Sequence, residues 1–110
     1  PDQNLIDHFG DPETAVAIAR LECHYFLNDL FFDDPDYLYH ETKKIDHIPT
    51  IIVQGRYDVV CPMVAAWTLK KNMPSADLRI IKDAGHNMGE PGVRSELIQA
   101  CDDFKEKLRK

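Results

Sequence analysis

The spacing of apolar residues changes along the chain, and each change marks an element. Residues 1–10 are mostly polar and are expected to form a loop. From Asp11 the pattern turns helical. Asp11 can serve as N-cap, Pro12 suits the first helical position and Glu13 puts an acid in the first turn. Ala15, Ile18, Ala19, Glu22 and Phe26 recur at spacings of three and four, which predicts a helix to Leu27, ended by Asn28 and Asp29. Residues 31–40 are aromatic and acidic without a clean period, and Pro35 interrupts them. A partly buried loop or a short helix is expected there, then a polar connector over 43–47.

The second half is sharper. Thr50, Ile51, Ile52, Val53 and Gln54 form a β-rich run closed by Gly55, which predicts a strand buried on both faces, as in a parallel sheet. An amphipathic helix follows over 62–72, carrying Val64, Ala65, Trp67 and Leu69 and stopped by Asn72 and Pro74. Residues 76–81 read as a second strand and 85–92 as a glycine-rich loop. Residues 93–108 read as a last helix with Leu97, Ile98, Cys101, Phe104 and Leu108 on one face, its basic end suiting the helix dipole. Strand, helix, strand, helix is the pattern of an α/β protein. Two parallel strands alone cannot cover their faces and edges, so the pattern asks for more sheet than it contains. The chain opens on Pro1 rather than Met and is expected to start inside a longer protein.

Topology brings two chemical groups together. Asp58 comes three residues after Gly55, and His86 five residues after Ile81. A right-handed crossover makes the two strands parallel, so both residues fall on loops at the same C-terminal sheet edge, where open α/β folds place their sites. Neighbouring strands are ~5 Å apart, within reach of a carboxylate and an imidazole. Such a carboxylate fixes the tautomer of the histidine, whose other nitrogen can then take a proton from a nucleophile. Geometry alone leaves a plainer reading open, with Asp58 capping the next helix and His86 an ordinary loop residue. The nucleophile is missing: Ser75 and Ser95 are the only serines, and neither lies in a GxSxG elbow. Cys61 is on the right loop but has no elbow glycines and reads as a buried thiol.

Composition narrows the field. The 110 residues, 44% hydrophobic, are enough for one small domain. A net charge of −6 with no dense basic patch argues against nucleic acid or an anionic membrane as partner. No apolar run is long enough to span a bilayer, and no signal-peptide pattern opens the chain. Cys23, Cys61 and Cys101 are odd in number and far apart, which predicts reduced, buried thiols in a cytoplasmic protein. The five histidines share no ligand spacing, so metal binding is not expected.

Longer motifs carry a specific resemblance. HIPTIIVQGRYDVVCP at 47–62 resembles the acid-bearing segment of proline iminopeptidases, and Asp83-Ala84-Gly85-His86, followed by Glu90-Pro91-Gly92, resembles their histidine loop. Ala19-Arg20-Leu21-Glu22-Cys23-His24-Tyr25-Phe26 is similar to their cap-helix motif ARxExHYF, with Cys23 where the family often has Asn. The resemblance implies an α/β fold that is the C-terminal fragment of an α/β hydrolase. Residues 1–45 would be the end of the helical cap and the return connection, and 46–110 the C-terminal part of the core. It implies Asp58 as triad acid, His86 as triad base and Glu22 as the carboxylate that binds the free amine of an N-terminal proline. The implied activity is a cofactor-free serine aminopeptidase acting on peptides with N-terminal proline, inactive in this segment alone; an oligomer is left open. Tyr25, Phe26 and Trp67 are expected to pack rather than line a proline pocket, and Arg56 to brace the acid loop. The alternatives are another α/β hydrolase, an esterase or epoxide hydrolase, or a non-catalytic interaction fragment.

Overall fold

The computed structural model describes residues 3–109. The chain divides into two compact units, residues 1–37 and 38–110. In the first, the opening residues are helical rather than a loop, as α1 (Gln3–Gly10). Ile6 and Phe9, three apart, share a helix side, and the Gln3 amide donates to Asp7 Oδ1 (2.7 Å) one turn on. The polar composition hid that spacing. Helix α2 (Pro12–Phe26) starts as its sequence predicts, with the Thr14 amide donating to the Asp11 carboxylate (2.9 Å) and Pro12 in the first turn. That amide also holds the Asp11 carboxyl below the usual carboxylate range. Asn28 ends the helix by donating its side-chain amide to His24 O (2.7 Å).

A 3-10 turn, Asp29–Phe31, follows, and its three residues have φ of 49°, 56° and 61°. Left-handed backbone costs an L-residue about 1–2 kcal/mol. The Phe31 amide donates to Asn28 O (2.7 Å), and its ring lies 5.6 Å from that of Tyr25 and 5.3 Å from that of His24, which holds the turn. Tyr25 thus packs as expected but stays half-exposed, and no residue of α2 is buried.

In the second unit, α3 (Tyr37–His40) falls at the division and runs into a 3-10 turn, Glu41–Lys44. Then come β1 (Ile51–Gly55), α4 (Met63–Asn72), β2 (Asp77–Ile81) and α5 (Pro91–Leu108). The strands form a parallel two-stranded sheet in which Ile51 faces Asp77 and Gly55 faces Ile81. Both long helices pack on it. The core is built from small side chains, Ala66, Ala76, Ala84, Val93 and Ala100, around Met73, which is 2% exposed. Polar ties close it. The buried Thr42 hydroxyl lies 2.8 Å from Tyr39 O and 3.1 Å from Asn72 O, and the Ser75 hydroxyl donates to Asp46 Oδ1 (2.6 Å). Arg79, on β2, reaches Glu96 (2.8 Å) and Asp103 (2.7 Å) on α5 as well as Asp77 (2.8 Å), joining strand to helix. Asp103 first, then Asp77 and Glu96, raise its pKa further.

Three expectations need correction. Strand β1 is only half-buried from Ile51 to Gln54, because a sheet of two strands leaves faces and edges to solvent. Cys23, Cys61 and Cys101 are all exposed rather than buried. Phe26 and Trp67 are exposed, 68% and 47%, rather than packed inside. Among the described residues, no helix is long and apolar enough to cross a membrane.

Candidate functional site

Past the ends of the strands the pairing continues as loop backbone. The Arg56 amide donates to Ile81 O (2.9 Å) and the Tyr57 amide to Ala84 O (2.9 Å), so the two loops leave the sheet tied together. Gly55 permits this closeness: a β-carbon there would sit 2.0 Å from Gly85 O. What Arg56 contributes here is its backbone amide, while its side chain is exposed.

Asp58 then turns its carboxylate back into its own loop. Oδ1 accepts from the amides of Val60 (3.0 Å) and Cys61 (2.8 Å), and Oδ2 from the side-chain amide of Gln54 (3.2 Å). Its side chain is 7% exposed. These bonds lie ahead of α4, whose N-cap is Pro62, so the carboxylate anchors a turn and does not cap the helix. His86 presents Nδ1 to the same carboxylate, 3.0 Å from Oδ2 and 3.1 Å from Oδ1. Burial pushes the Asp58 pKa up; the Cys61 amide, His86 and the Val60 amide outweigh it and hold the carboxyl below its ordinary value. An ionised carboxylate can only accept, so the bond to His86 places a proton on Nδ1. Among the described residues nothing bonds Nε2, and the ring is 54% exposed. The couple can hold the imidazole in one tautomer and leave the other nitrogen free to take a proton.

The structure thus brings Asp58 and His86 together. Glu22 lies on α2 in the first unit, exposed, with no bond to its carboxylate among the described residues. Cys61 is an exposed thiol whose contribution here is its backbone: its amide serves Asp58 and its carbonyl accepts from Gln54 (3.1 Å). Two residues with no role assigned from sequence also shape the site. Gln54 links the carboxylate to the far end of its turn, and the Glu90 carboxylate takes backbone amides of the histidine loop. Their signals were faint: an amide side chain at the last position before Gly55, and a glutamate where a helix more often starts on Ser, Thr, Asp or Asn.

An α/β scaffold bearing a carboxylate–imidazole couple at the C-terminal edge of its sheet defines the class. The chain is 53% identical over 103 residues, 94% of its length, to a probable proline iminopeptidase of Leptolyngbya boryana. It is 46% identical to the proline iminopeptidase of Arabidopsis thaliana over 105 residues, 96% of the chain, and to that of Xylella fastidiosa over 103 residues, 94% of the chain. No family model matches it. The matched region is 32%, 28% and 33% of those three proteins, so the chain spans about a third of the length of its relatives. Over nearly its whole length the chain is thus similar to one segment of the proline iminopeptidases.

Proposed function

We propose that this chain is the C-terminal part of a serine aminopeptidase that releases N-terminal proline from peptides in the cytoplasm. Residues 1–45 would close its helical cap and 46–110 would complete its α/β-hydrolase core. The observation that supports the reading most is the Asp58–His86 bond at 3.0 Å, set within motifs shared with the proline iminopeptidases. In the full-length protein a serine elsewhere in the chain supplies the nucleophile. His86 Nε2 takes the hydroxyl proton as the serine oxygen attacks the carbonyl carbon of the terminal proline. The imidazolium then gives that proton to the leaving amine, and water, activated the same way, releases proline from the acyl-enzyme. Asp58 stays ionised throughout and stabilises the imidazolium. No cofactor takes part.

Glu22 is the specificity element of this reading. An N-terminal proline presents a cationic secondary amine, and a carboxylate binds it by a charge-assisted hydrogen bond. The segment by itself is inactive, having neither a serine elbow nor an oxyanion hole. The test is Glu22→Gln in the full-length protein. The expected loss of kcat/KM on proline p-nitroanilide is on the order of a hundredfold, as for one partner removed from a desolvated charge pair. Hydrolysis of p-nitrophenyl acetate, which has no amine, should barely change. Little change on either substrate would point to a general esterase or epoxide hydrolase instead, in which Glu22 has no amine to bind.

A further inference from the structure

Among the described residues His86 has a single side-chain partner, Asp58, and over half of its side chain faces solvent. Its aim therefore depends on the backbone beneath it. That backbone is gripped from one side. The Gly85 amide donates to both oxygens of Glu90, Oε1 at 3.1 Å and Oε2 at 3.0 Å, and the Asn87 amide donates to Oε1 at 3.1 Å. The two peptide N–H groups that flank His86 thus converge on one carboxylate. Glu90 returns the contact through its own amide, which donates to Asn87 O (3.0 Å). Glu90 also stands at the N-cap of α5, yet its side chain makes no bond to the helix. Pro91 behind it restricts the backbone, and α5 is anchored to β2 through Arg79, so the carboxylate is held from a rigid element.

We infer that Glu90 is a positioning residue for His86: its carboxylate clamps the amides on either side of the histidine and so aims the ring at Asp58. Glu90 touches neither substrate nor reacting atoms and works through the histidine alone. The inference rests on the acid–base role of His86 proposed above. Charge-assisted bonds to backbone amides are the stronger kind and leave little slack. Releasing both lets residues 85–87 shift, and a shift near 1 Å at a general base is enough to spoil proton transfer.

The test uses the full-length protein with Glu90→Ala and Glu90→Gln, assayed on proline p-nitroanilide and on p-nitrophenyl acetate. Glu90→Ala should lower kcat on both by about tenfold to a hundredfold, with KM within about twofold. Glu90→Gln keeps an oxygen that can accept both amides and should restore kcat to within about fivefold of the parent. The downfield proton resonance of His86 Nδ1 should weaken or vanish in Glu90→Ala and persist in Glu90→Gln. An unchanged kcat in Glu90→Ala with only a lower Tm overturns the inference, as does a Gln variant as impaired as the Ala variant. Should Glu90→Ala fail to fold, Glu90→Asp, which keeps the charge but falls short of both amides, should show the same fall in kcat; parent-like kcat there also overturns it. If the parent cleaves the ester but not the proline amide, the aminopeptidase reading fails while Glu90 is still judged on the ester. If it cleaves neither, the Nδ1 resonance of the variants decides the clamp, and a resonance unmoved in Glu90→Ala rejects it.

Discussion

The acid loop and the histidine loop leave the sheet side by side and are held in opposite ways. Asp58 anchors itself: its carboxylate is nearly enclosed and accepts from two amides of its own turn and from Gln54 at the end of the same strand. His86 anchors nothing. Its ring is half in solvent with one side-chain partner among the described residues, and the loop under it is held by Glu90. The difference fits the two tasks proposed for these residues. A carboxylate that must stay charged and still gains from many donors, whereas an imidazole that must gain and lose a proton needs one nitrogen left free.

Three measurements can break or sharpen this contrast, beginning with the largest effect. Asp58→Asn in the full-length protein keeps an oxygen for the Val60 and Cys61 amides but can turn an NH₂ group toward His86. The acid turn should survive while the imidazole takes the wrong tautomer, lowering kcat by about 10⁴-fold with a small but measurable fall in Tm. Retention of activity within an order of magnitude would remove Asp58 from the couple. Next, Gly55→Ala drives a methyl group into Gly85 O and should push the histidine loop off the sheet. Denaturant unfolding should report a destabilisation of about 2–3 kcal/mol. The Asp58 turn, fastened by its own amides, should keep its chemical shifts; if both loops melt together, the contrast fails. The smallest effect is one of pH. Since the Asp58 carboxyl lies below its ordinary value in the folded chain, its contribution is complete above about pH 4, the unfolded pKa. It is lost as pH falls through the lower folded value. The stability gap between the parent and Asp58→Asn should therefore close on acidification below that point, and a gap that widens there would contradict the assigned direction.

Much of this was legible in the sequence, for reasons that differ by element. The β-branched run before Gly55 and the crossover after it fix a parallel pair, and strand order then sets Asp58 and His86 on one edge without any need for side-chain detail. The Asp11-Pro12 start of α2 was equally plain, because capping is local chemistry. Helix α1 was not, since Ile6 and Phe9 were too few to stand out among polar neighbours. The burial of β1 and of the cysteines was overestimated because a residue's apolar character does not say whether anything is present to cover it. The bonds of Gln54 and Glu90 are not legible in the sequence for another reason. Their partners are mostly backbone groups brought near by the loop's path, and a sequence pattern carries no trace of that path.

The Asp58 turn has a consequence for how such a site can change over generations. Two of its donors are the peptide amides of residues 60 and 61, and the side chains of Val60 and Cys61 are both exposed. Every amino acid except proline brings that N–H with it. Mutational drift can therefore rewrite the side chains at these positions without loosening the acid, and only a proline at 60 or 61 would delete a donor outright. The natural proline of this stretch is one residue further on, at Pro62, where no amide is asked for.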